Sequence, residues 1–305
     1  MLIVGGCYDT AKRNLILNEI FGQFCSQNKI EFSNNHSVLS PDETTLFCTS
    51  GMHHFKKQFL DKNYQHTSAN IQRCLRLNDL DEIGDGTHYL VFHMLGLFSF
   101  REWSLQKTVD FWMSFLESIN LIPDHVTIHP DQLMSWKSLY QNYHVDIHVD
   151  QECKWSDGNI GGYCTEFYRK GVEIGNIVNT MGDCIDVGFG GERLLEQLGL
   201  LKPMTPELIL SETIEQLFLE GVEPGHYKHG FILKKLMNKL LFEGGKYEHP
   251  YFDKLYEQQR TKWFFYLKKK DHKRFIDFDS DWWMNTHGID TKNHLRYLKI
   301  FGNND

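Results

Sequence analysis

Nowhere in the 305 residues is there an apolar run approaching the about 18 residues that a membrane-spanning helix needs. The opening Met-Leu-Ile-Val gives way at once to Gly5, Gly6, Cys7 and Tyr8, too short for the core of a signal peptide, so a soluble cytoplasmic protein with no membrane partner is expected. The seven cysteines, at 7, 25, 48, 74, 153, 164 and 184, include no C-x-x-C pair. Their odd number and scatter argue against a disulfide framework or a zinc-finger spacing; reduced thiols and no zinc held by protein ligands are expected. Positive charge is also in deficit. The net charge of −8 argues against a broad nucleic-acid surface. No P-loop ending in G-K-[ST] occurs, and no internal repeat or low-complexity tract is present.

What is present is an ordinary globular balance, 41% hydrophobic and 24% charged. Charge is unevenly placed: residues 226–275 hold 13 Lys/Arg against 5 Asp/Glu, a basic block on an acidic body. Such a block suits a polyanion partner, or forms the solvated face of lysine-rich helices.

Apolar residues at helical spacing (Leu15, Ile16, Ile20, Phe21, Phe24) predict a first helix over 10–25. Strands are expected at 44–49, across 70–77 and 88–100, in HVTIHP and HVDIHVD on either side of a helix near 131–142, in GGYCTEFYR and VEIGNIVNT, and in DCIDVGF. An amphipathic helix fits 105–119, and a helix at 190–199 follows the last strand. Beyond the two prolines of LLKPMTPE the pattern turns helical, at about 206–220, 230–242 and 252–270. Because short turns join most strand pairs, the expectation is an α+β fold, an antiparallel sheet flanked by helices over residues 1–200, followed by a small helical domain over 201–305.

The stretch DVGFGGERLLEQLG (186–199) sets glycines 188, 190, 191 and 199 around Arg193. A dinucleotide fingerprint needs G-x-G-x-x-G, but Arg193 stands at its third glycine. Glu192 suits the positive end of a helix dipole whereas Arg193 does not, which points to an anion in front of the arginine or to a carboxylate partner. Arg76 ends one strand, and His88 and Phe92, four apart, share a face of the returning one. An arginine, a flat aromatic and a histidine make a nucleotide platform, unless Phe92 is simply core. His144, Asp146 and His148 alternate along one strand and are read as a solvated outer face with Val145, Ile147 and Val149 inward, no fourth metal ligand being evident.

Taken in order, DETTLFCTSGMHHFKKQFL, QRCLRLNDLDEIG, KWSDG, CTEFY, EIGNIV and DVGFGGERL resemble the catalytic core of alanyl-tRNA synthetase, a class II synthetase. The resemblance continues through EGVEPGHYKHGFILKKLMNKLLFEG, similar to that family's Gly-Tyr-Val-Leu-Arg-Arg helix, and WWMNTHGID. It implies a shortened relative without the family's editing and C-terminal domains, and no editing zinc is expected. By position, Arg76 resembles the arginine that holds the α-phosphate and the substrate carboxylate, and Phe92 the aromatic under adenine. Arg193 resembles the arginine over adenine near the γ-phosphate, with His88 and Met94 completing the ATP site. Asp186 resembles the aspartate that receives the substrate amino group, Gly188 the residue that keeps the pocket small, and Trp155 the pocket wall, with Asn176 beside them. Lys228, Lys235, Lys239 and Asn285 fall on the segments that contact RNA in the family.

The resemblance thus implies ATP with Mg²⁺, a small amino acid, an aminoacyl adenylate formed by in-line attack without a protein nucleophile, and transfer to a tRNA 3′ end, a carrier protein or another acceptor. Departures are specific. The family's Ala-Gly-Gly-Lys insertion after Arg76 is missing, Thr87 stands where an arginine is expected, and Tyr89 replaces a histidine. Lys228 and Asn285 replace the asparagine and aspartate that read the acceptor stem. These changes motivate the alternative of a non-catalytic paralogue that binds an amino acid, a nucleotide or RNA in a regulatory role.

Overall fold

A computed structural model describes residues 10–41, 44–269, 295 and 300, with backbone alone for 262–269. The chain divides into two compact units, residues 1–204 and 205–305.

The first unit opens with helix α1 (Thr10–Leu17), a π turn (Asn18–Gly22) and α2 (Gln23–Gln27) in one continuous run. Its inward face is Leu17, Phe21 and Cys25, all fully buried, whereas Leu15 is exposed: the π turn resets the phase expected from the apolar spacing. Nine strands follow, β1 (Glu31–Asn35), β2 (His66–Leu75), β3 (Val91–Phe100), β4 (His125–Ile128), β5 (Asp146–Val149), β6 (Lys154–Asp157), β7 (Ile160–Arg169), β8 (Val172–Thr180) and β9 (Cys184–Gly190). They form one sheet of order β1-β2-β3-β9-β8-β7-β4-β5, with β6 paired to β7. Only β1–β2 and β4–β5 are parallel, so the sheet is the mostly antiparallel one expected. Helices α3 (Lys56–Leu60), α4 (Leu105–Ser118), α5 (Leu133–Trp136) and α6 (Gly191–Gln197) accompany it.

Three readings are corrected. Residues 44–49 make no strand; Phe47 forms a single bridge to Leu39. The 131–142 helix is broken into one short turn of α-helix between two 3₁₀ turns, beginning at Pro130 and ending at Tyr140. His144, which lies before β5, and Asp146 and His148 within it are exposed as expected, but so is Val149, so this edge strand buries little on either face. β1 and β6 escaped the sequence pattern because their burial alternates only between exposed and half-buried, leaving no apolar period to read.

Strand alternation gives the sheet two unlike faces. On one, Ile71, Leu95, Leu97, Ile177, Val187, Phe189, Phe167, Val126 and Ile128 are buried. Trp112 of α4 stacks on Phe189 with ring centroids 4.2 Å apart and planes 9° apart, and Phe21 stacks on Trp112 at 5.1 Å. Each such pair adds about 1 kcal/mol beyond the apolar area it buries. On the other face, residues 51–60 cover one end, where Met52 and Phe59 pack with Phe98 and Phe100.

The second unit contains α7 (Pro206–Leu219), α8 (Lys228–Glu243) and α9 (Pro250–Lys269). Thr205 caps α7, its hydroxyl accepting from the Leu208 N–H, with Pro206 in the first turn where its missing N–H costs nothing. α8 buries Leu233, Leu236, Met237, Leu240 and Leu241 and ends on Gly244 in the left-handed region. No helix among the described residues is long and apolar enough to cross a membrane.

Candidate functional site

The sheet face opposite the aromatic core is the floor of a cavity, and strand register explains its composition. One row runs Asn70, Gly96, Gly188, Asn176, Glu166, Thr127 across β2, β3, β9, β8, β7 and β4. The next runs Ser68, Phe98, Asp186, Val178, Cys164. Gln72, Met94 and Gly190 align toward the helix end, and Trp155 on β6 pairs with Gly162 of β7. Arg76, His88, Phe92, Met94, Trp155, Asn176, Asp186, Gly188 and Arg193 all line this cavity. Nine positions spread over 118 residues of sequence are therefore brought together.

Asp186 is the chemical centre of the floor. Its residue is only 8% exposed, and among the described residues nothing hydrogen-bonds to or pairs with its carboxylate. Burial, with the nearby Asp157 charge adding to it, pushes its pKa from 3.8 up to about 7. Lys56 Nζ lies 3.1 Å from Asp157 and pairs with that carboxylate. A buried acid held this way gains from any cation that reaches it. Gly188, two residues along the same face, keeps the floor open: a Cβ there would lie 3.0 Å from Met94 Sδ. Trp155 packs against the cluster that contains Phe98 and Phe100 and against that of Cys153, Cys164 and Val178, forming a wall.

The arginines lie on the helix side. The Arg76 Nε donates to the Thr49 carbonyl at 2.8 Å, and its guanidinium lies 5.2 Å from the centroid of the Phe92 ring. Phe92 is thus a platform beneath a cation and is half-buried, not a closed core residue. Arg193 Nη1 donates to the Glu173 carbonyl at 2.9 Å and to its carboxylate at 3.2 Å, while Nε donates to the Thr87 carbonyl at 3.4 Å. The carboxylate partner considered for Arg193 is realised, and it sits in the cavity lining itself.

His88 is not on β3. It precedes the strand, in a loop that Asp85 organises: the Thr87 and His88 N–H groups donate to Asp85 Oδ1 at 2.8 and 2.9 Å, and His88 Nδ1 lies 2.6 Å from Oδ2. Partial burial opposes ionisation of Asp85, but these hydrogen bonds outweigh it and hold the carboxyl well below its usual range.

Glu192, expected merely to suit the helix dipole, is fully buried. It accepts from Arg13 Nε at 3.2 Å and from the His93 backbone N–H at 2.7 Å, with His93 Nδ1 at 2.8 Å. Burial opposes its charge, but His93 and Arg13 reverse that and lower its pKa. The cluster ties the N-terminal helix, β3 and α6 together. Gly191 is required by the same packing, since a Cβ there would lie 2.5 Å from Leu17 Cδ1. Gly190 and Gly191 therefore serve close approach, not a special turn. Glu166 and Glu173, both in the lining, were not singled out by the sequence; CTEFY and VEIG gave only strand pattern, and their shared cavity is a product of pairing.

Residues 17–156 match the tRNA synthetases class II (A) family. Over 295 aligned residues the chain is 27% identical to the alanine–tRNA ligase of Buchnera aphidicola, covering 68% of this chain and 34% of that protein. Over 195 it is 29% identical to that of Chlamydia pneumoniae, covering 56% of this chain and 22% of that protein. The chain thus spans about a third or less of the length of these curated relatives. Among solved structures, apo histidyl-tRNA synthetase of S. aureus aligns over 85% of this chain and 85% of its own at 12% identity, with a TM-score of 0.42. The class II match includes the loop bearing Arg76, His88 and β3, and ends at Trp155 and Ser156; Asn176, Asp186, Gly188 and Arg193 lie beyond it, on strands and a helix that close the same cavity.

In the helical unit, Lys228 and Lys235 of α8 are exposed, whereas Lys239 is half-buried and has a partner. Asn285 and the WWMNTHGID segment lie outside the described residues.

Proposed function

We propose that the cavity binds ATP, as its Mg²⁺ complex, and a small amino acid, and joins them as an aminoacyl adenylate. The observation that carries this reading is the buried carboxylate of Asp186, unpaired among the described residues, in the same cavity as the guanidinium groups of Arg76 and Arg193. An amino acid offers an ammonium for Asp186 and a carboxylate to be directed toward the arginines. The reaction itself is attack of that carboxylate on the α-phosphorus with departure of pyrophosphate, which needs positioning and charge neutralisation and no protein nucleophile. Gly188 under Met94, with Trp155 as wall, supports a small side chain such as those of alanine, glycine or serine. The Phe92 ring supports an adenine once Arg76 turns toward phosphate.

Transfer to a tRNA 3′ end is supported by the relatives' names and by exposed Lys228 and Lys235 on α8. A carrier protein is the other acceptor class. The test is amino-acid-dependent exchange of pyrophosphate into ATP over a panel of small amino acids, followed by charging of total tRNA. Exchange with none of the panel would sink the proposal.

A second reading, a paralogue that binds without turnover, is favoured by two features: Arg193 is engaged by Glu173, and Thr87, where the family has an arginine, brings no cation and turns its carbonyl to Arg193. Calorimetric ATP binding with no exchange selects it.

A further inference from the structure

At the end of the cavity floor beyond Asp186, three potential ligands converge that the sequence kept apart. Cys164 and Glu166 are two apart on β7 and face the same way; Cys153, eleven residues earlier, is joined to Cys164 by a backbone hydrogen bond from the Cys164 N–H to the Cys153 carbonyl of 3.0 Å. The two sulfurs and a Glu166 carboxylate oxygen all lie within 4.8 Å of one another, and both cysteines are buried. We propose that Cys153, Cys164 and Glu166 bind a zinc ion, with the fourth coordination position on the cavity side.

The donor chemistry fits. Two thiolates and one carboxylate are a borderline-soft set that suits Zn²⁺ and not Mg²⁺ or Ca²⁺. Tetrahedral bonds of about 2.3 Å to sulfur and about 2.0 Å to oxygen place ligand atoms about 3.5–3.8 Å apart. Cys164 Sγ already lies 3.9 Å from Glu166 Oε1.

The surroundings point the same way independently. Glu166 Oε2 accepts from the Tyr168 hydroxyl at 3.0 Å and the Thr127 hydroxyl at 3.3 Å, which fixes the carboxylate and turns Oε1 toward the sulfurs. Thr127 Oγ1 is also 2.9 Å from Cys153 Sγ, so one hydroxyl steadies two ligands. Among the described residues, no lysine, arginine or histidine forms an ion pair with Glu166. Glu166 alone of the three lines the cavity, so three protein ligands leave an open position there for water or for an oxygen or nitrogen of whatever the cavity holds. The assignment does not depend on the cavity being an adenylation site.

The experiment is metal analysis of the full chain, purified under reductant and passed over a desalting column, by plasma mass spectrometry. The expected result is about one zinc per chain, falling below about a tenth in Cys153→Ser and Cys164→Ser, with Glu166→Gln losing zinc to a chelator at about 10–100-fold lower chelator concentration. Because a cysteine variant can simply misfold, metal-stripped wild-type chain is also titrated with Co²⁺; a thiolate-to-cobalt charge-transfer band that saturates at one equivalent and is removed by added Zn²⁺ is expected. Wild-type chain that carries no zinc and gives no cobalt band overturns the proposal, as does a disulfide between Cys153 and Cys164 in the reduced preparation.

Discussion

The two faces of the sheet are made from the same strands, one residue out of phase, and they do opposite things. In β9, Ile185, Val187 and Phe189 enter the aromatic core while Asp186, Gly188 and Gly190 face the cavity. The core face is closed, with Phe189 stacked under Trp112. The cavity face holds a buried acid without a partner among the described residues, and glycine where a side chain would fill space. Stability is concentrated on one side and ligand chemistry on the other, so neighbouring substitutions should separate the two.

The largest separation is expected between Phe189 and Gly188. Phe189→Ala should cost about 3–5 kcal/mol of folding stability, read as a fall in the urea midpoint. Gly188→Val should leave that midpoint within about 1 kcal/mol, because the flexible Met94 thioether can yield, while pyrophosphate exchange falls about 100-fold. Equal loss of stability in both would break the contrast between the faces.

Arg76 should behave as a purely cavity-side residue. Arg76→Ala is expected to lower exchange by about 100-fold, a size associated with removing one preorganised charge donor from a reacting group, with an unchanged urea midpoint. A stability loss matching the activity loss would show that its bond to the Thr49 carbonyl is what matters.

Asp186 sharpens the comparison through pH. Its carboxyl is raised to about 7 in the folded chain, so folding favours the protonated form. The resulting stabilisation is complete below about 4, where the unfolded carboxyl also protonates, and is lost as pH rises to about 7. An ammonium ligand needs the ionised form, so amino-acid affinity should rise by up to about tenfold per pH unit below 7 and then level off. Asp186→Asn should abolish that slope and melt above wild type at pH 8, with a smaller gap at pH 5. A pH-independent affinity in the wild type would remove Asp186 from the ammonium site.

The smallest effect is expected in the helical unit. Lys235→Glu should weaken binding of total tRNA by about three- to tenfold at low salt, shrinking as salt is raised, without altering the exchange rate. Lys239, half-buried and already partnered, should cost stability as well when changed to Glu.

How much was legible differs between the faces. Core positions such as Leu95, Leu97, Val187 and Phe189 lie in runs that the sequence marks as strands, but β3 is apolar on both faces, so pattern alone does not choose which side enters the aromatic core. Arg76, Phe92 and Arg193 stand out by residue type and placement, Asp186 and Gly188 take their roles only from the resemblance in motif order, and the structure places all five in one cavity. Glu166 and Glu173 were passed over because nothing local distinguishes an acid beside a cavity from an acid beside water. Glu192 suits a helix dipole by position, but it is a buried partner of Arg13, 179 residues away in sequence.

The sequence by itself determined the strand at β9, the antiparallel character of the sheet and the order of the motifs, because these depend on residue pattern and turn length along the chain. Only the tertiary structure decided that Arg193 meets Glu173, that Asp186 has no cation partner among the described residues, and that Cys153 and Cys164 share one place with Glu166. Those outcomes rest on which strands neighbour each other and in what register. Register is a property of pairs of segments, and a single segment's pattern does not contain it.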